Sequence, residues 1–414
     1  MKLASRFLLS IFVPMTFLIM ILSITQVSRL NQVLAEQIAI DDIRSKILKA
    51  NSSFWTDECI DCQENLDVGT DITLAVDKNT GFVHASYTSW PITTLNLYYA
   101  VRDNSGWHTQ TVASGRIIAS VISVDSNGFP HIGYANQFCY ELFNCDYILN
   151  HLYLDGSGWH TTTIENLGNN VPLFSMSMAL DSNDMPRIIA KDANSDLRYL
   201  YFENSEWKSE VVAPVGDSWY AYSSIDLEFS NKPHVSYIDT RSNDLIYAHR
   251  DVSGWITKTI NSELGSIYTF NSLALDSNNI PHLSYGDAVK NTLEYAYIEN
   301  NIWVSETVAS NITRALPSIK LDSNDNPHIA FSDNLQCNIG ACTFILYYAY
   351  HKDSGWEVEQ LFDHYNASNF LSLGLDGKNN VHIGYYDREN NDARHVFQIF
   401  PENKLYLPII TNHN

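Results

Sequence analysis

Positive charge is scarce in this sequence. Lys and Arg number 25 against 47 Asp and Glu, so the formal net charge is −22. Proteins that hold nucleic acid use Lys and Arg to neutralise phosphates. The composition therefore excludes DNA and RNA as expected partners, and it suits cations, basic partners or simple solubility.

Long apolar runs are also scarce, and the sequence has one near its start. Lys2 and Arg6 precede an uncharged apolar stretch, Phe7–Ile24. A basic start followed by an apolar segment is typical of an export signal. The stretch is also long enough to cross a bilayer. We interpret residues 1–35 as a signal peptide cleaved after Ala35 or as a retained membrane anchor. In either case the rest of the chain is extracellular or at the cell surface.

Cysteine is limited to six residues, which form three close pairs: Cys59 and Cys62, Cys139 and Cys145, Cys337 and Cys342. Each pair can close a small loop by a disulfide in an oxidising compartment. A zinc site would need two pairs to converge with histidine. The pairs lie in different parts of the chain, so the sequence favours three local disulfides.

Helical periodicity is missing from residues 51–400, and an internal repeat takes its place. The phrase "LDSNNIPHLSYGD" (275–287) returns as "LDSNDNPHIAFSD" (321–333). Seven copies can be aligned on one position, which is occupied by His84, His131, Arg187, His234, His282, His328 and His382. The copies are separated by 46 to 56 residues. Periods of this size indicate a solenoid, a propeller or an array.

The content of one unit favours the propeller. Residues 272–308 read as four short alternating strands joined by turns rich in Ser, Asn and Pro. Six units also carry a Trp at the start of the fourth strand, namely Trp107, Trp159, Trp207, Trp255, Trp303 and Trp356. A ring repeated in every unit indicates packing rather than a set of ligand-stacking platforms.

The repeat count predicts how the ring closes. The seventh unit has only three strands, and a strand-like piece containing Trp55 precedes the first unit. We predict an all-β fold, a seven-bladed β-propeller of four-stranded blades over residues 51–400, closed by an N-terminal strand that completes the last blade.

The repeated histidine has an acidic residue six or seven positions before it, as in Asp276 and His282. A general base with an orienting carboxylate would look like this locally. An enzyme needs one such pair, however, and the chain has it in six units. We expect the pair to tie the turn between the first two strands, with catalysis and metal binding as the alternatives.

The residue after the second strand is a more distinctive candidate. It is Ser89, Asn136, Asp192, Asp239, Asp287, Asp333 or Asp387 in the seven units. Five carboxylates on one face would form an acidic rim that binds calcium, an ammonium group or sugar hydroxyls. The alternative is that each Asp caps its own loop. Trp90, Tyr140, Phe143 and Trp219 are in segments that read as irregular, and could act as stacking platforms on this face.

The repeat resembles the secreted bacterial β-propellers grouped with sialidase-like and BNR-type proteins. The likeness rests on the "LDSNxxPHIxY" units over residues 51–400 and on "SGW" turns such as "DNSGW" (103–107), which are similar to a degenerate sialidase Asp-box. The usual Gly-x-Thr-Trp ending of that box is absent. The resemblance implies the propeller fold and leaves function open, because propellers host many activities.

We therefore expect an exported, monomeric, non-enzymatic propeller that binds an extracellular glycan or protein on its acidic face. Calcium is the cofactor that the rim would use. The alternatives are a sialidase-like glycoside hydrolase, which needs two catalytic carboxylates, and a structural scaffold for a protein partner. Residues 36–50 are predicted to be a short helix or spacer, and residues 401–414 a surface-association tail.

Overall fold

The computed structural model describes residues 55–62, 67–90, 95–141, 144–169, 176–218, 222–262, 264–265, 270–338, 341–362 and 367–398. The predictions for residues 1–35, 36–50 and 401–414 lie outside these described residues. No helix among the described residues is long and apolar enough to cross a membrane.

Seven four-stranded antiparallel sheets form the blades, and in six of them the four strands follow one another in chain order from the channel outward. The inner strands are β2 (Asp67–Val76), β6 (Ile117–Val124), β10 (Met176–Leu180), β14 (Ser223–Leu227), β18 (Asn271–Leu275), β22 (Leu316–Leu321) and β26 (Ala367–Leu375). The second strands are β3 (Val83–Trp90), β7 (Pro130–Glu141), β11 (Pro186–Lys191), β15 (Pro233–Asp239), β19 (Pro281–Asp287), β23 (Pro327–Asn338) and β27 (Val381–Asp387).

The outer half of each blade begins with a third strand that pairs with the second. The third strands are β4 (Leu97–Asp103), β8 (Asn144–Asp155), β12 (Asp196–Glu203), β16 (Asp244–Asp251), β20 (Thr292–Glu299), β24 (Ala341–Lys352) and β28 (Asp392–Gln398). The outer strands are β5 (Gly106–Ala113), β9 (Gly158–Asn169), β13 (Glu206–Pro214), β17 (Gly254–Asn261), β21 (Ile302–Ser310), β25 (Gly355–Gln360) and β1 (Trp55–Asp61). We number the blades 1 to 7 in the order of their inner strands.

The ring closes as the repeat count predicted. Strand β1 pairs antiparallel with β28 and supplies the outer strand of blade 7. Each inner strand contacts the inner strands of both neighbouring blades, and β26 of blade 7 contacts β2 of blade 1. The first strand of the fold thus covers the edge that β28 would otherwise expose. The seven-bladed propeller and its N-terminal closing strand are confirmed.

The buried apolar residues lie between blades rather than within single sheets. One cluster joins Ile189 and Tyr199 of blade 3 to Ile225 and Val235 of blade 4. The faces of two neighbouring sheets pack together in this way around the ring. The hydrophobic core is therefore a set of blade interfaces, which explains why one blade cannot be stable alone.

Each blade interface also holds an aromatic contact that explains the repeated Trp. The Trp of an outer strand packs edge-on against a ring on the third strand of the preceding blade, with centroids 5.1–5.8 Å apart. In blade 7 this position is filled by Trp55, which meets Tyr348 of blade 6. The packing role predicted for these rings is confirmed, and Trp55 is the seventh member of the set.

Serine hydroxyls cover the free edge of most inner strands, which have no sheet neighbour on the channel side. The hydroxyl oxygen of Ser272, for example, accepts the backbone N–H of Ile319 in the next blade at 3.2 Å. The same contact is made by Ser177, Ser224, Ser318 and Ser372 at 3.0–3.2 Å. Backbone donors at the channel wall are satisfied by this arrangement.

The hairpin of blade 2 differs from the prediction in detail. The Cys139 and Cys145 pair was expected to close a small loop, but both residues lie in strands, because β7 and β8 continue pairing to Glu141 and Asn144. Tyr140 and the backbone of Trp90 also lie in strands rather than in irregular segments. A paired hairpin satisfies the backbone N–H and C=O groups of a long insert better than an open loop does.

Candidate functional site

The repeated acidic residue before each histidine caps the turn between the first two strands of its blade. One oxygen of the Asp276 carboxylate accepts the backbone N–H groups of Asn278 and Ile280, at 2.8 and 2.6 Å. Equivalent pairs of bonds are made by Asp125, Asp181, Asp322 and Asp376. The carboxylate is thus part of the turn, as the structural interpretation predicted.

The repeated histidine is buried and bonded to the third strand. Nδ1 of His84 lies 2.7 Å from the Tyr99 hydroxyl, and Nδ1 of His234 lies 2.5 Å from that of Tyr247. Burial lowers the pKa of His84 to about 4, so the ring is neutral at pH 7. These histidines tie the second strand of a blade to its third strand, which agrees with the structural interpretation.

Most carboxylates of the predicted acidic rim accept hydrogen bonds from the backbone of the loops that they begin. Asp192 accepts the backbone N–H groups of Asn194 and Asp196, and Asp387 accepts that of Glu389. Asp287 accepts the N–H of Val289 and lies 3.3 Å from the Lys290 ammonium. At least one oxygen of each of these carboxylates is thus bonded within its own loop.

The side chains at the remaining rim positions are also bonded to nearby protein groups. Asp239 pairs with Arg241, whose hydrogen bond lowers the pKa of the Asp239 carboxyl. Asp333 accepts the backbone N–H groups of Thr313 and Arg314, which lead into its own blade. Asn136 accepts the N–H of Arg116 at 3.2 Å.

Of the four aromatic residues proposed as stacking platforms, the structure describes the side chain of Tyr140 alone. Tyr140 is 70% exposed and donates to Asp146 within its hairpin, at 3.2 Å. Phe138 beside it is 46% exposed. The side chain of Trp90, and Phe143 and Trp219 as whole residues, lie outside the described residues.

Two of the three predicted disulfides are present, Cys59–Cys62 and Cys139–Cys145. Cys337 and Cys342 face each other across the β23–β24 ladder, and their side chains lie outside the described residues. Among the described residues no group of three or more His, Cys, Asp or Glu side chains could hold a metal ion. The calcium prediction therefore finds no donor set in that part of the chain.

A groove of about 660 Å³ lies between blades 3 and 4, at the end of the ring where the first-to-second-strand turns emerge. The turn after β10, the second half of β12, the turn after β14 and the end of β16 form its walls. The lining includes three aromatic rings, Tyr199, Tyr201 and Phe202. Its volume falls within the roughly 300–1,000 Å³ usual for ligand sites.

The groove exists where the repeat is broken. Blade 3 has Arg187 where six blades have histidine, so Tyr199 has no histidine like the one that bonds Tyr247 or Tyr295. The Arg187 guanidinium instead donates through two nitrogens to Asp181 and lies 5.4 Å over the ring of Tyr201. The Asp181–Arg187 pair and the ring beneath it fix one another.

The rings beside Arg187 offer a rigid apolar surface. Tyr199 and Tyr201 stack with centroids 5.1 Å apart, and Trp255 of blade 4 holds Tyr199 edge-on. Tyr201 is half-buried, so part of its ring reaches the groove.

The charges of the groove balance, in contrast to the rest of this acidic chain. The lining has three acidic groups, Asp181, Glu203 and Asp251, and three basic groups, Arg187, Lys232 and Arg250. Hydrogen bonds from Lys208 and Ser253 lower the pKa of Glu203 and Asp251 respectively. A lowered pKa favours the ionised form of these two carboxylates, in which both oxygens accept hydrogen bonds.

Sequence reasoning missed this groove. The signal was present, because Arg187 is the single non-histidine in the aligned set of seven. The acidic positions drew attention by their repetition, whereas a unique site in a repeat protein is marked by the unit that departs from the pattern.

Comparison with known proteins supports the fold and little more. No protein-family model and no curated protein matches the sequence. Among solved structures, a polysaccharide lyase described as an ulvan lyase is similar with TM-score 0.54 and 12% identity, over 80% of this chain and 94% of that one. A mutant of AofleA from Arthrobotrys oligospora gives TM-score 0.50 and 9% identity, over 74% and 90%. A fucose-specific lectin from Aleuria aurantia gives 0.46 and 12%, over 73% and 96%.

Proposed function

We propose that this protein is an exported glycan-binding propeller and that the groove between blades 3 and 4 is its binding site. The observation that carries the proposal is the Arg187 guanidinium, fixed by Asp181 and lying over the ring of Tyr201. An aromatic face beside convergent, immobilised polar groups is the usual construction of a small-molecule site. A sugar ring presents C–H faces to such a surface and hydroxyls to its donors and acceptors.

The balanced charge of the groove favours a neutral sugar. A ligand with a carboxylate or sulfate would meet three carboxylates as well as three cations. The Arg187 guanidinium is paired with Asp181 and that of Arg250 with Glu210, so neither carries an unsatisfied charge. Hydroxyl groups can share hydrogen bonds with such pairs without breaking them.

Two further observations support export and glycan recognition. The two disulfides fit an oxidising compartment. The fold is also that of a polysaccharide lyase, which is compatible with a glycan ligand although fold alone does not assign one.

A glycan array with the purified protein tests the proposal, run with calcium and again with chelator. We expect binding to a neutral glycan in both conditions, because the groove uses no described metal ligands. An Arg187→His variant should lose the signal and stay folded, because histidine is the residue that six blades already carry at this position. An array signal that Arg187→His leaves intact would place the ligand elsewhere, and the absence of any signal would contradict glycan binding.

The acidic face predicted from the sequence is a second candidate site, for a protein partner. Its support is the exposed Phe138 and Tyr140 pair on the disulfide-closed hairpin of blade 2. Rigid exposed aromatics are typical anchors of interfaces. In this proposal the rim positions Asn136, Asp192, Asp239, Asp287, Asp333 and Asp387 would complete the contact surface. On the array, a Tyr140→Ala variant should bind like the wild-type protein if the groove is the glycan site.

A further inference from the structure

The groove between blades 3 and 4 is bounded by four turns, and the positions of these turns in the blades fix its direction. Asn183 and Ser230 lie in the turns between first and second strands and mark the end nearer the channel. Asn204 and Val252 lie in the turns between third and fourth strands and mark the outer end. Neighbouring strands are about 5 Å apart, so two strand spacings, about 10 Å, separate the ends. The groove is thus longer than one pyranose ring.

The residues proposed to hold a sugar lie between these two ends. Arg187 on the second strand β11 pairs in register with Tyr201 on the third strand β12, so the guanidinium and the ring beneath it occupy the middle of the groove. A sugar stacked on Tyr201 therefore leaves the two ends of the groove to other groups. The volume of about 660 Å³ agrees, because it lies well above the roughly 300 Å³ at which ligand sites begin.

The end near the channel carries a charged group that the repeat does not supply elsewhere. Lys232 lies two residues before the aligned histidine position, where the other six units have uncharged residues. Its ammonium is 3.9 Å from Glu228, and the Glu228 carboxylate already accepts hydrogen bonds from Ser230 and His234, at 2.6 and 2.9 Å. The Lys232 side chain is 56% exposed and has three N–H donors. It can thus donate to the hydroxyls of a sugar at this end.

The outer end carries hydrogen-bond acceptors. One oxygen of Asp251 in blade 4 accepts the backbone N–H and the hydroxyl of Ser253, both at 2.6 Å. An ionised carboxylate has about four acceptor positions, so Asp251 can also accept from a sugar hydroxyl. Glu203 of blade 3 lines the same end, and its carboxylate is held by the Lys208 ammonium at 2.6 Å. Each end of the groove therefore offers polar groups to a sugar of its own.

We propose that the groove binds an internal stretch of a linear neutral glycan, with one sugar on the Tyr201 ring and its neighbours at the two ends. This inference rests on the proposed function and specifies its substrate class. A site for a single terminal sugar needs its polar groups around one ring, whereas this groove distributes them over its length. The glycan chain then runs outward, from the first-to-second-strand turns to the third-to-fourth-strand turns.

Isothermal titration of the purified protein tests the inference with four neutral series, namely cello-, xylo-, manno- and malto-oligosaccharides of one to six units. We expect at least one series to bind. Within it, the affinity should rise at least tenfold from the monosaccharide to the tetrasaccharide. The affinity should then level off, because further units lie beyond the turns that end the groove.

Two variants change the ends of the groove separately. Lys232→Ile gives blade 4 the residue that blade 5 has as Ile280, and Asp251→Ala removes an acceptor of the outer end. Each should weaken binding of the tetrasaccharide at least fivefold and change binding of the monosaccharide less than twofold. Asp103→Ala is the matched control, because Asp103 accepts the same two bonds from Ser105 in blade 1, away from the groove. It should bind both sugars like the wild-type protein.

A tetrasaccharide that binds no more tightly than its monosaccharide would overturn the inference and leave the proposed function in place. The inference is also wrong if both end variants bind the tetrasaccharide like the wild-type protein, or if none of the four series binds. Failure of the proposed function gives a different result, since Arg187→His would then leave the glycan-array signal intact.

Discussion

The carboxylate of Asp184 in blade 3 accepts both the backbone N–H and the hydroxyl of Ser126 in blade 2, at 2.9 and 2.6 Å. The same link joins Ser182 to Asn231 and Ser277 to Asp325 across other blade boundaries. The "DSN" phrase therefore recurs because such a turn is held from within by its Asp and, in the turns of blades 2 to 6, from the next blade by an Asn or Asp. Asp184 itself has φ 60°, a conformation that Asn, Asp and Gly tolerate best.

The first prediction concerns this link. Asp184→Ala should lower the free energy of unfolding by about 1–2 kcal/mol, because it removes two hydrogen bonds and places a β-carbon without a polar group at positive φ. Asp184→Asn should change it by less than about 0.5 kcal/mol, since Asn fills this position in blades 4, 5 and 7. Urea unfolding measures both. Equal losses for the two variants would contradict the role of the side chain.

The second prediction concerns ring closure. Trp55→Ala removes the edge contact with Tyr348 and the hydrogen bond from the indole N–H to Glu359, at 3.1 Å. We expect a loss of about 3–5 kcal/mol, as for other buried Trp truncations. Thr56→Ala, at the exposed neighbouring position, is the control and should cost less than about 0.5 kcal/mol.

Deleting residues 51–62 should have a larger effect than either substitution, because it uncovers the edge of β28. Differential scanning calorimetry compares the three variants. A deletion protein that melts at the wild-type temperature would show that β1 does not close the ring.

The third prediction concerns pH. Burial lowers the pKa of His84 and His395 to about 4 and that of His151 to about 3, against an ordinary value of 6.5. Below about pH 6.5 the unfolded chain binds protons at these residues and the folded chain does not. The free energy of unfolding should therefore be constant above pH 7 and fall as the pH drops toward 4, by on the order of 1–3 kcal/mol per histidine.

Urea unfolding at pH 7.5, 6.5 and 5.5 measures this slope before most carboxylates titrate. A His84→Gln variant is less stable at pH 7.5 if the bond to Tyr99 matters, but its slope with pH should be shallower than that of the wild-type protein. A wild-type stability that does not change between pH 7.5 and 5.5 would mean that the histidines ionise inside the fold.

The repeat made the fold predictable, and it hid the site. The turn Asp, the His and the Trp could be aligned across units. Because the last unit has only three strands, the alignment predicted that the strand containing Trp55 completes it. The acidic rim was less predictable, because sequence does not show whether the oxygens of Asp192 or Asp287 are already bonded to loop N–H groups. The groove could not be predicted from the sequence, because the sequence does not show that Arg187 of blade 3 lies over Tyr201 and faces the turns of blade 4.

The hairpin of blade 2 shows a second limit. Two cysteines six residues apart with Tyr140 between them read as a loop, yet the ladder of β7 and β8 continues through both. Local composition favoured a turn, and pairing across the hairpin prevailed because it satisfies the backbone of every residue it includes.

The central claim is that the groove between blades 3 and 4 binds a glycan on the ring of Tyr201. The direct measurement is a binding isotherm of the strongest array glycan with the wild-type protein, Tyr201→Ala and Tyr297→Ala, the last being the corresponding residue of blade 5. We predict that Tyr201→Ala weakens the affinity at least tenfold and that Tyr297→Ala leaves it unchanged. Equal affinities for all three proteins would contradict the account.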